Sequence, residues 1–403
     1  MKNQCRVGHE GEFMRAEAEN EEGKVRVLRI IARLNLGGPA IQISGLFEGM
    51  LESRFHTTIL TGYCEPNEIE FLEFVNVPMP VTKIQGLGRS ISFFGDLRAL
   101  ISIVQIIRKY RPHIIHTHTA KAGVLGRIAS IISCHKVIRI HTYHGHLLEG
   151  YFGKFKTQLI VIIERFLSYF THELVAVGEQ VRDDLIRAGI AKKSKFSVIP
   201  PGVEVPTFIS RDESRQILNL QAANLVISFI GRVEQIKRPD RFLEAAIRFL
   251  KEFPKAQFLV AGDGELLDKI RTTAEKEYLP IKFLGWRPDV QNVIAASDFI
   301  VLTSDNEGIP MSLIQSSFLG VPAVATNVGS VSQVIKDGHT GLLSDVDAQN
   351  IFEKMLLLAR DYELRRTLGE NAKLYAHENF HVSRLVRDHE RLYLKSLASQ
   401  SNF

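Results

Sequence analysis

The chain has few cysteines. Its 403 residues include three, Cys5, Cys64 and Cys134, which are too few and too widely spaced for a disulfide framework or a Cys-x-x-Cys metal site. Disulfides persist in oxidising compartments and are rare in the cytosol. This scarcity therefore predicts a protein of the reducing cytosol.

Long apolar runs are also missing. The best stretches, residues 159–163 and 225–230, fall far short of the roughly 20 residues that a membrane span requires. The first 24 residues are polar, mixed in charge and without the apolar core of a signal peptide. We therefore expect residues 1–24 to form a disordered extension, and the protein to be cytoplasmic.

Charge is unevenly distributed along the chain. Residues 27–199 carry 21 Lys and Arg against 13 Asp and Glu, a net charge of +8, whereas residues 200–403 carry 24 against 26, a net charge of −2. A basic first half suits an anionic partner such as a membrane surface, although a need for solubility explains it equally well. The basic residues are dispersed and no nucleic-acid recognition motif accompanies them, so we expect no nucleic-acid partner.

Short apolar runs typical of buried strands alternate with helical segments, first over residues 27–199 and then again from residue 225. This alternation predicts an α/β fold with two doubly wound, Rossmann-like parallel sheets, whose ligands bind at the carboxyl ends of the strands. A Pro-Pro-Gly turn at residues 200–202 is a candidate hinge. The domains expected are therefore residues 25–200, residues 201–380 and a final helix over 381–403.

One stretch, residues 299–326, carries the strongest local signal. It reads as a buried strand, a turn containing Glu307 and Gly308, a short helix with Pro310 at its first position, and a second strand. Free N–H groups at such a helix start can bind a phosphate, and Gly308 would let the backbone come close. Ile309 belongs to this predicted anion site, and Gln315 lies about two turns into the helix.

Two further strand ends carry candidate phosphate ligands. Arg232 and Lys237 follow a predicted strand, where two cations can neutralise a diphosphate, although a solvated loop is the alternative. Gly37 and Gly38 lie between a strand and a helix, which favours either a phosphate-approach loop or an ordinary tight turn.

Histidines cluster after two strands of the first half. His116 and His118 precede Lys121, and the next strand ends in His141, His144 and His146. Zinc is one interpretation, because imidazole is a common ligand, but no Cys or HExxH frame supports it. Hydrogen-bonded histidines are the favoured interpretation.

Asp347, in an Asp-x-Asp motif before a helix, is expected to be a helix N-cap rather than a metal ligand, and Asp289 is expected to cap its own helix.

A helix rich in aromatic and basic residues is predicted within residues 147–170. It is apolar over most of its circumference. A core helix of the first domain is one interpretation, and a surface lying on the membrane interface is the other.

Taken in order, these motifs resemble family 4 of the retaining glycosyltransferases. SDNEGIPMSLIQ is similar to the family's E-x7-E signature, GRVEQIKRPD to its G-R-x4-K segment, and LNLGGPA, HTYHG, IPPGVE and FLGWRPDV to further segments. The resemblance covers about residues 26–398. It implies a GT-B fold, in which the two domains face each other across a cleft and the C-terminal helix crosses back to the first domain.

The resemblance also assigns roles to residues. It places Glu307 and His144 against the donor sugar as catalytic residues, and Arg232 and Lys237 on the leaving diphosphate. The remaining roles are diphosphate binding by Gly37, Gly38, Gly308, Ile309 and Pro310, base recognition by Gly285, Trp286 and Arg287, and an acceptor side formed by His116, His118 and Lys121. Gln315 departs from the family, whose second acidic residue holds the ribose hydroxyls, and this departure predicts weaker nucleotide binding.

The resulting expectation is a metal-independent, retaining hexosyltransferase. It would move a hexose or N-acetylhexosamine from a nucleotide-diphosphate sugar, UDP rather than GDP, to a hydroxyl of an acceptor glycan. Assembly of a cell-surface polysaccharide on a lipid carrier, with peripheral membrane contact through the basic first domain, completes this expectation. A GT-B nucleotide-sugar epimerase and a catalytically weakened donor-binding protein remain the alternatives.

Overall fold

A computed structural model describes residues 7–8, 23–66, 68–74, 79–133, 136–145, 154–207 and 209–401. The chain divides into two units, the first formed by Met1–Val203 with Val382–Phe403 and the second by Glu204–His381. The division therefore falls three residues after the predicted domain boundary at residue 200 and one residue after the predicted start of the final segment.

The first unit is built on a parallel sheet. Its strands are β1 (Val7–Gly8), β2 (Val25–Arg33), β3 (Phe55–Gly62), β4 (Val81–Lys83), β5 (Ile114–His118), β6 (Ile138–Tyr143), β7 (Glu173–Ala176) and β8 (Phe196–Val198). They are ordered β1-β4-β3-β2-β5-β6-β7-β8, and every described pairing is parallel. The order reverses between β2 and β5, which is where such a sheet binds ligands.

Helices cover both faces of this sheet. They are α1 (Gly38–Gly49), α2 (Phe93–Tyr110), α3 (Ala120–Ile132), α4 (Lys154–Tyr169), α5 (Glu179–Arg187) and, from the end of the chain, α13 (Val382–Ser401). Val27 and Ile140 of the sheet pack with α13, and Leu28 and Ile115 pack with α2 and α3. Coverage of both faces explains why consecutive residues of a strand are buried, such as residues 27–32 of β2.

The last helix returns to the first unit through specific contacts. The backbone N–H of Val382 donates to the carbonyl of Val203 at 3.0 Å, and Arg384 donates to the carbonyls of Pro200 and Pro201 at 2.8 and 2.7 Å. Tyr393 is fully buried among the strands. The predicted packing of the final helix against the N-terminal domain thus has an identifiable anchor at the Pro-Pro-Gly turn.

The second unit has a six-stranded parallel sheet. Its strands are β9 (Val226–Ile230), β10 (Gln257–Ala261), β11 (Ile281–Gly285), β12 (Phe299–Leu302), β13 (Ala323–Thr326) and β14 (Leu342–Ser344), in the order β11-β10-β9-β12-β13-β14. The helices are α6 (Arg211–Ile217), α7 (Pro239–Glu252), α8 (Leu267–Lys276), α9 (Val290–Ala296), α10 (Met311–Phe318), α11 (Ala348–Arg360) and α12 (Tyr362–Asn379).

Several local predictions can be compared with these elements. Asp347 caps α11 as predicted, accepting from the N–H of Asn350 at 2.9 Å. Pro310 lies at the N-cap of α10 rather than at its first helical position, because its ψ of 120° is extended. Of the predicted disordered extension, Val7–Gly8 pairs with β4 at the edge of the sheet, and residues 1–6 and 9–22 lie outside the described residues.

Cys64 is a free thiol, and the other two cysteines lie outside the described residues. Burial raises the pKa of the Cys64 thiol to about 11, and Glu70 and Glu68 add to this shift. Within the described ranges, no helix is both long enough and apolar enough to cross a bilayer.

Candidate functional site

The candidate donor site forms where neighbouring strands of the second unit end. Strands β9 and β12 pair directly, so the loops that follow them, residues 231–238 and 303–310, meet at the same edge of the sheet. The backbone N–H of Asp305 donates to the carbonyl of Ile236 at 2.9 Å, and the hydroxyl of Thr303 donates to the carbonyls of Lys237 and Arg238 at 2.9 Å. These bonds lock the two loops together.

Two residues singled out from the sequence meet at this edge. The Nζ of Lys237 donates to Oε1 of Glu307 at 2.5 Å, and the hydroxyl of Ser304 donates to the same oxygen at 2.5 Å. The Glu307 side chain is largely buried and that of Lys237 is 17% exposed. Because both side chains are mostly shielded from water, this ion pair holds the two groups in place. The other N–H donors of the lysine remain available to a ligand.

A second ion-pair network, which no sequence pattern indicates, lies beside this pair. Asp305 accepts from Arg241 at 2.7 Å and from Arg238 at 3.2 Å, and Arg241 also donates to the carbonyl of Thr303 at 2.5 Å. The hydrogen bonds that Arg238 donates to Asp240, and then to Asp305, raise the pKa of Arg238 above its ordinary value. These ion pairs and hydrogen bonds stabilise the loop that carries Lys237.

Glycines allow the backbones at this edge to approach closely. Gly329 has φ +52°, and a Cβ there would lie 1.9 Å from the carbonyl oxygen of Glu307. Gly262 has φ +147°, and its Cβ would lie 1.9 Å from the carbonyl oxygen of Gly231. Side chains are excluded at both positions, so these glycines set the position of the Glu307 backbone and of the loop after β9.

The other predicted donor-site residues are placed around this pair. Arg232 is half-exposed and forms an ion pair with Glu234 at 2.8 Å. Gly308 and Ile309 lie in the turn between Glu307 and α10, and the Ile309 side chain is buried. Gln315 lies on α10, partly buried, and its side chain makes no hydrogen bond with the residues that the structure describes.

The predicted base-side segment follows β11. Gly285 ends that strand with φ +62° and open space around its missing Cβ, and its carbonyl accepts from the N–H of Gly262 at 2.7 Å. Trp286 is partly buried. Arg287 is held by Asp289 through an ion pair of 2.6 Å.

This ion pair corrects the expectation that Asp289 caps its helix. Asp289 occupies the N-cap position of α9, but its carboxylate accepts from Arg287 and from the side chain of Asn292 instead of a backbone N–H. Its pKa is lowered, chiefly by the hydrogen bond from Arg287. A charged side chain two positions away outcompetes the neutral backbone donor.

A histidine cluster occupies the carboxyl ends of β5 and β6 in the first unit. His118 Nδ1 lies 3.0 Å from His144 Nε2, and the His118 ring stacks on that of His116 with 4.4 Å between centroids. His116 is fully buried and bonded through both ring nitrogens, to the hydroxyls of Tyr393 and Thr142, each at 2.7 Å. Because neither nitrogen is left for an acceptor, we assign His116 a supporting role instead of the predicted acceptor contact.

Burial keeps the cluster neutral. It lowers the pKa of His144 to about 4, and it lowers the pKa of His116, His118 and His141 well below the ordinary value. One imidazole of the His118–His144 pair must therefore donate and the other accept. A neutral His144 can bond a sugar hydroxyl as donor or acceptor, but it carries no charge at neutral pH.

Lys121 and the glycine loop complete the predicted residues of the first unit. Lys121 forms an ion pair with Asp96 at 2.6 Å and donates to the carbonyls of Gly86 and Ser90, so its ammonium braces the loop before α2. Gly37 is the N-cap of α1, and Gly38 is the first residue of that helix. The helix start therefore presents backbone N–H groups, as the loop motif predicts.

The described residues hold no group of three or more His, Cys, Asp or Glu side chains placed to bind a metal ion. His146, part of the zinc interpretation, lies outside the described residues. The absence of a metal requirement stays a prediction.

Two family models match the chain. One is described as Glycosyltransferase Family 4 and matches residues 36–205, and the other is described as Glycosyl transferases group 1 and matches residues 210–375. The chain belongs to the family 4 glycosyltransferases. The family predicted from the sequence motifs is thereby confirmed, and the two models meet close to the division between the two units.

Relatives of this glycosyltransferase include named bacterial enzymes. It is 28% identical over 323 residues to the UDP-Gal:alpha-D-GlcNAc-diphosphoundecaprenol alpha-1,3-galactosyltransferase of Escherichia coli, covering 78% of this chain and 83% of that protein. It is 26% identical to the capsular polysaccharide biosynthesis glycosyltransferase CapM of Staphylococcus aureus, covering 81% and 92%.

Solved structures share its fold. The HepE protein of Anabaena, crystallised with UDP and glucose, has a TM-score of 0.78 at 20% identity and covers 92% of this chain and 100% of its own. Sucrose-phosphate synthase of Thermosynechococcus elongatus has a TM-score of 0.78 at 20% identity, covering 93% and 100%. These likenesses confirm the predicted GT-B fold of two Rossmann-like domains.

Proposed function

We propose that this glycosyltransferase moves a hexose or N-acetylhexosamine from a UDP-sugar to a hydroxyl, with retention of anomeric configuration and without a metal. The observation that carries the proposal is the Lys237–Glu307 pair at the carboxyl edge of the second sheet, 2.5 Å between Nζ and Oε1. The UDP bound in the HepE structure and the UDP-galactose in the name of the Escherichia coli relative support uracil as the base.

In the proposed reaction the diphosphate leaves against fixed positive charge. The bond between the sugar's anomeric carbon and the phosphate oxygen breaks, and a bond to the acceptor oxygen forms on the same face. The leaving phosphate oxygen takes the proton of the acceptor hydroxyl. Lys237 and Arg232 stabilise the charge that develops on the diphosphate, which is the largest contribution expected of a site of this kind.

Two residues orient the donor sugar in this proposal. Glu307, held by Lys237 and Ser304, accepts hydrogen bonds from sugar hydroxyls, and its carboxylate position is set before the substrate arrives. Neutral His144, bonded to His118, contributes a hydrogen bond rather than a charge. The backbone of residues 308–310 and the start of α1 are the proposed additional diphosphate contacts.

The proposed acceptor is a sugar on a lipid diphosphate carrier at the cytoplasmic face of the membrane. The name of the Escherichia coli relative supports this class, because it specifies a diphosphoundecaprenol-linked acceptor. The capsule enzyme CapM supports a place in cell-surface polysaccharide assembly.

Ligand-induced stabilisation tests the donor half of the proposal. We expect UDP and its sugars to raise the Tm of the purified protein, in the presence of EDTA, more than GDP or ADP does. The Lys237→Met variant should lose most of this shift, whereas Lys255→Met, an exposed lysine of the same unit, should keep it. A shift for GDP alone would overturn the base assignment, and a shift abolished by EDTA would overturn metal independence.

Product analysis tests the transfer itself. Incubation with UDP-sugar and a lipid-diphosphate sugar should release UDP and extend the acceptor with an α-linked residue. Formation of an epimeric sugar without any acceptor would establish the epimerase alternative instead. Nucleotide binding without either product would establish a donor-binding protein.

A further inference from the structure

The loop before α2 and the first half of that helix carry an unusual set of exposed apolar side chains. Ile91, Phe93 and Phe94 are 89%, 78% and 81% exposed, and Leu97 and Ile101 continue the patch along the helix. The opposite side of α2 is buried in the core of the unit, through residues such as Ile103 and Ile107. The first half of the helix therefore presents apolar side chains to the solvent as well as to the core.

Helix α4 carries a second exposed apolar stripe. Phe155, Leu159, Ile162, Phe166 and Tyr169 are all at least half-exposed. Their spacing alternates between four and three residues, which places them on one side of the helix. A single exposed leucine needs no explanation, but a continuous apolar stripe along a whole helix does.

Contacts with the core fix the rotation of α4 about its own axis. They leave its apolar stripe facing the solvent. Glu164 is buried and accepts from Arg127 of α3 at 2.7 and 2.8 Å and from the hydroxyl of Tyr143 at 2.6 Å. Leu167, one turn further on, is also buried. Rotating the stripe toward the core would expose Leu167 and break this network, which would leave Arg127 buried without its partner.

The two patches lie on the same side of the sheet. Helix α2 packs against α3, and α3 packs against α4. Most residues of α3 are buried, and the exposed side chains of α2 and α4 flank it. Both helices begin at the carboxyl edge of the sheet, since α2 follows β4 and α4 follows β6. We name the five residues of each patch together the α2–α4 surface.

Charges around the α2–α4 surface are cationic. Arg89, Arg98, Lys156 and Arg165 are exposed beside the apolar residues. The two acids of these helices are neutralised in ion pairs, Asp96 with Lys121 at 2.6 Å and Glu164 with Arg127. On α2 and α4 themselves, the exposed charge that remains is therefore positive.

We propose that the α2–α4 surface docks the protein onto an anionic lipid bilayer, with its phenylalanines in the interface and its arginines and lysines at the phosphate headgroups. A broad apolar stripe with basic side chains at its margin is the pattern of helices that lie in a membrane interface. The charge complementarity favours anionic lipid over an uncharged apolar partner. The inference goes beyond the transfer reaction and does not depend on it.

Vesicle co-sedimentation of the full chain tests the inference. We expect binding to vesicles of phosphatidylcholine mixed with phosphatidylglycerol at low salt, weaker binding at high salt, and little binding to phosphatidylcholine alone. Equal binding to both kinds of vesicle, or none to either, would overturn the proposal. Neither result bears on UDP-induced stabilisation, so failure here and failure of the proposed function are distinguishable.

Variants separate the apolar and the charged contributions. The double variant Phe94→Ser/Phe166→Ser should weaken vesicle binding by at least roughly tenfold, because each ring loses its burial in the interface. Arg98→Glu/Lys156→Glu should weaken it by a similar factor and flatten its salt dependence. The matched controls Tyr278→Ser and Lys255→Glu, an exposed aromatic and an exposed lysine of the second unit, should bind as the unaltered protein does.

A second copy of the chain is the competing occupant of this surface. Sedimentation velocity without lipid distinguishes it, because self-association through the phenylalanines would give a dimer that Phe94→Ser/Phe166→Ser converts to a monomer. A dimer of this kind that fails to bind vesicles would overturn the lipid assignment. A monomer that binds anionic vesicles supports it.

Discussion

The Nζ of Lys237 lies 2.5 Å from Oε1 of Glu307, across two loops that are 70 residues apart in the chain. Ser304 donates to the same carboxylate oxygen. Without Lys237, the largely buried Glu307 carboxylate would keep the neutral hydroxyl of Ser304 as the donor described above. Without Glu307, the Lys237 ammonium would lose its counter-charge. Replacing either residue would therefore change the charge of the site and also release the side chain that remains.

Replacing the lysine should separate catalysis from stability. For Lys237→Met we expect kcat to fall by roughly a hundred- to a thousandfold, the cost of removing one donor that stabilises developing charge. The free energy of unfolding should fall by only about 1–3 kcal/mol, the cost of one charge-assisted hydrogen bond. Steady-state kinetics and urea denaturation measure the two quantities, with Lys255→Met as the control. A near-normal kcat would rule out the proposed role.

Restoring an acid at position 315 should strengthen nucleotide binding. The Gln315 side chain has no hydrogen bond to lose within the described part of the chain, so Gln315→Glu exchanges an amide for a carboxylate without breaking a contact. A charge-assisted pair with the ribose hydroxyls is worth about 1–2 kcal/mol more than a neutral one, or roughly tenfold in Kd. Calorimetric titration with UDP measures the change. An unchanged Kd would place position 315 away from the ribose.

How far the sequence predicts this site depends on how local each interaction is. Alternating strands and helices indicate which segments end at the carboxyl edge, so Lys237 and Glu307 could be assigned to one region. Ser304 carries no such signal, because a serine three residues before an acid is common in any turn. The network of Asp305 with Arg238 and Arg241 depends on the pairing of β9 with β12, which no local pattern specifies.

The histidine cluster shows the same limit. His118 and His144 lie 26 residues apart, and they meet because β5 pairs with β6 in a register that sets His118 opposite Thr142. The sequence indicates two histidine-rich strand ends but not which rings touch. It also cannot show that α4 turns one apolar stripe outward, because a helix that is apolar over most of its circumference has no single buried face.

Removing the His144 ring should impair turnover and spare nucleotide binding. Because His144 belongs to the first unit and is neutral, we expect His144→Ala to lower kcat by about ten- to a hundredfold while the Kd for UDP stays unchanged. His118→Ala should produce a smaller loss, since it acts by holding His144. A fall in UDP affinity as large as the fall in kcat would contradict this assignment.

Adding a methyl group at Gly329 should disturb Glu307 specifically. A Cβ at Gly329 would lie 1.9 Å from the Glu307 carbonyl oxygen, so the backbone must move, whereas Gly338 has a comparable positive φ and open space around it. The left-handed backbone alone should cost each variant roughly 1–2 kcal/mol of stability, and Gly329→Ala should lose more because of the clash with the Glu307 carbonyl. Only Gly329→Ala should also weaken UDP binding, measured by calorimetry. Equal UDP affinity in the two variants would contradict the coupling.

Acid should destabilise the first unit through its buried histidines. Burial lowers the pKa of His144 to about 4 and that of His389 to about 3, whereas unfolding returns each to about 6.5. Below pH 6.5 the unfolded chain therefore binds protons that the folded chain cannot, so stability is complete above this pH and falls as the pH drops toward 4. Each such histidine contributes a slope of about 1.4 kcal/mol per pH unit.

The variant His389→Gln isolates one of these contributions. It should reduce the dependence of the unfolding free energy on pH by about 1.4 kcal/mol per unit between pH 6.5 and 4, measured by urea denaturation at several pH values. His339→Gln, at an exposed position of the second unit, is the matched control. Carboxylates also titrate in this range, but they contribute equally to both proteins, so the difference in slope belongs to the buried ring. Equal slopes for the two variants would show that His389 is protonated, or solvated, in the folded protein.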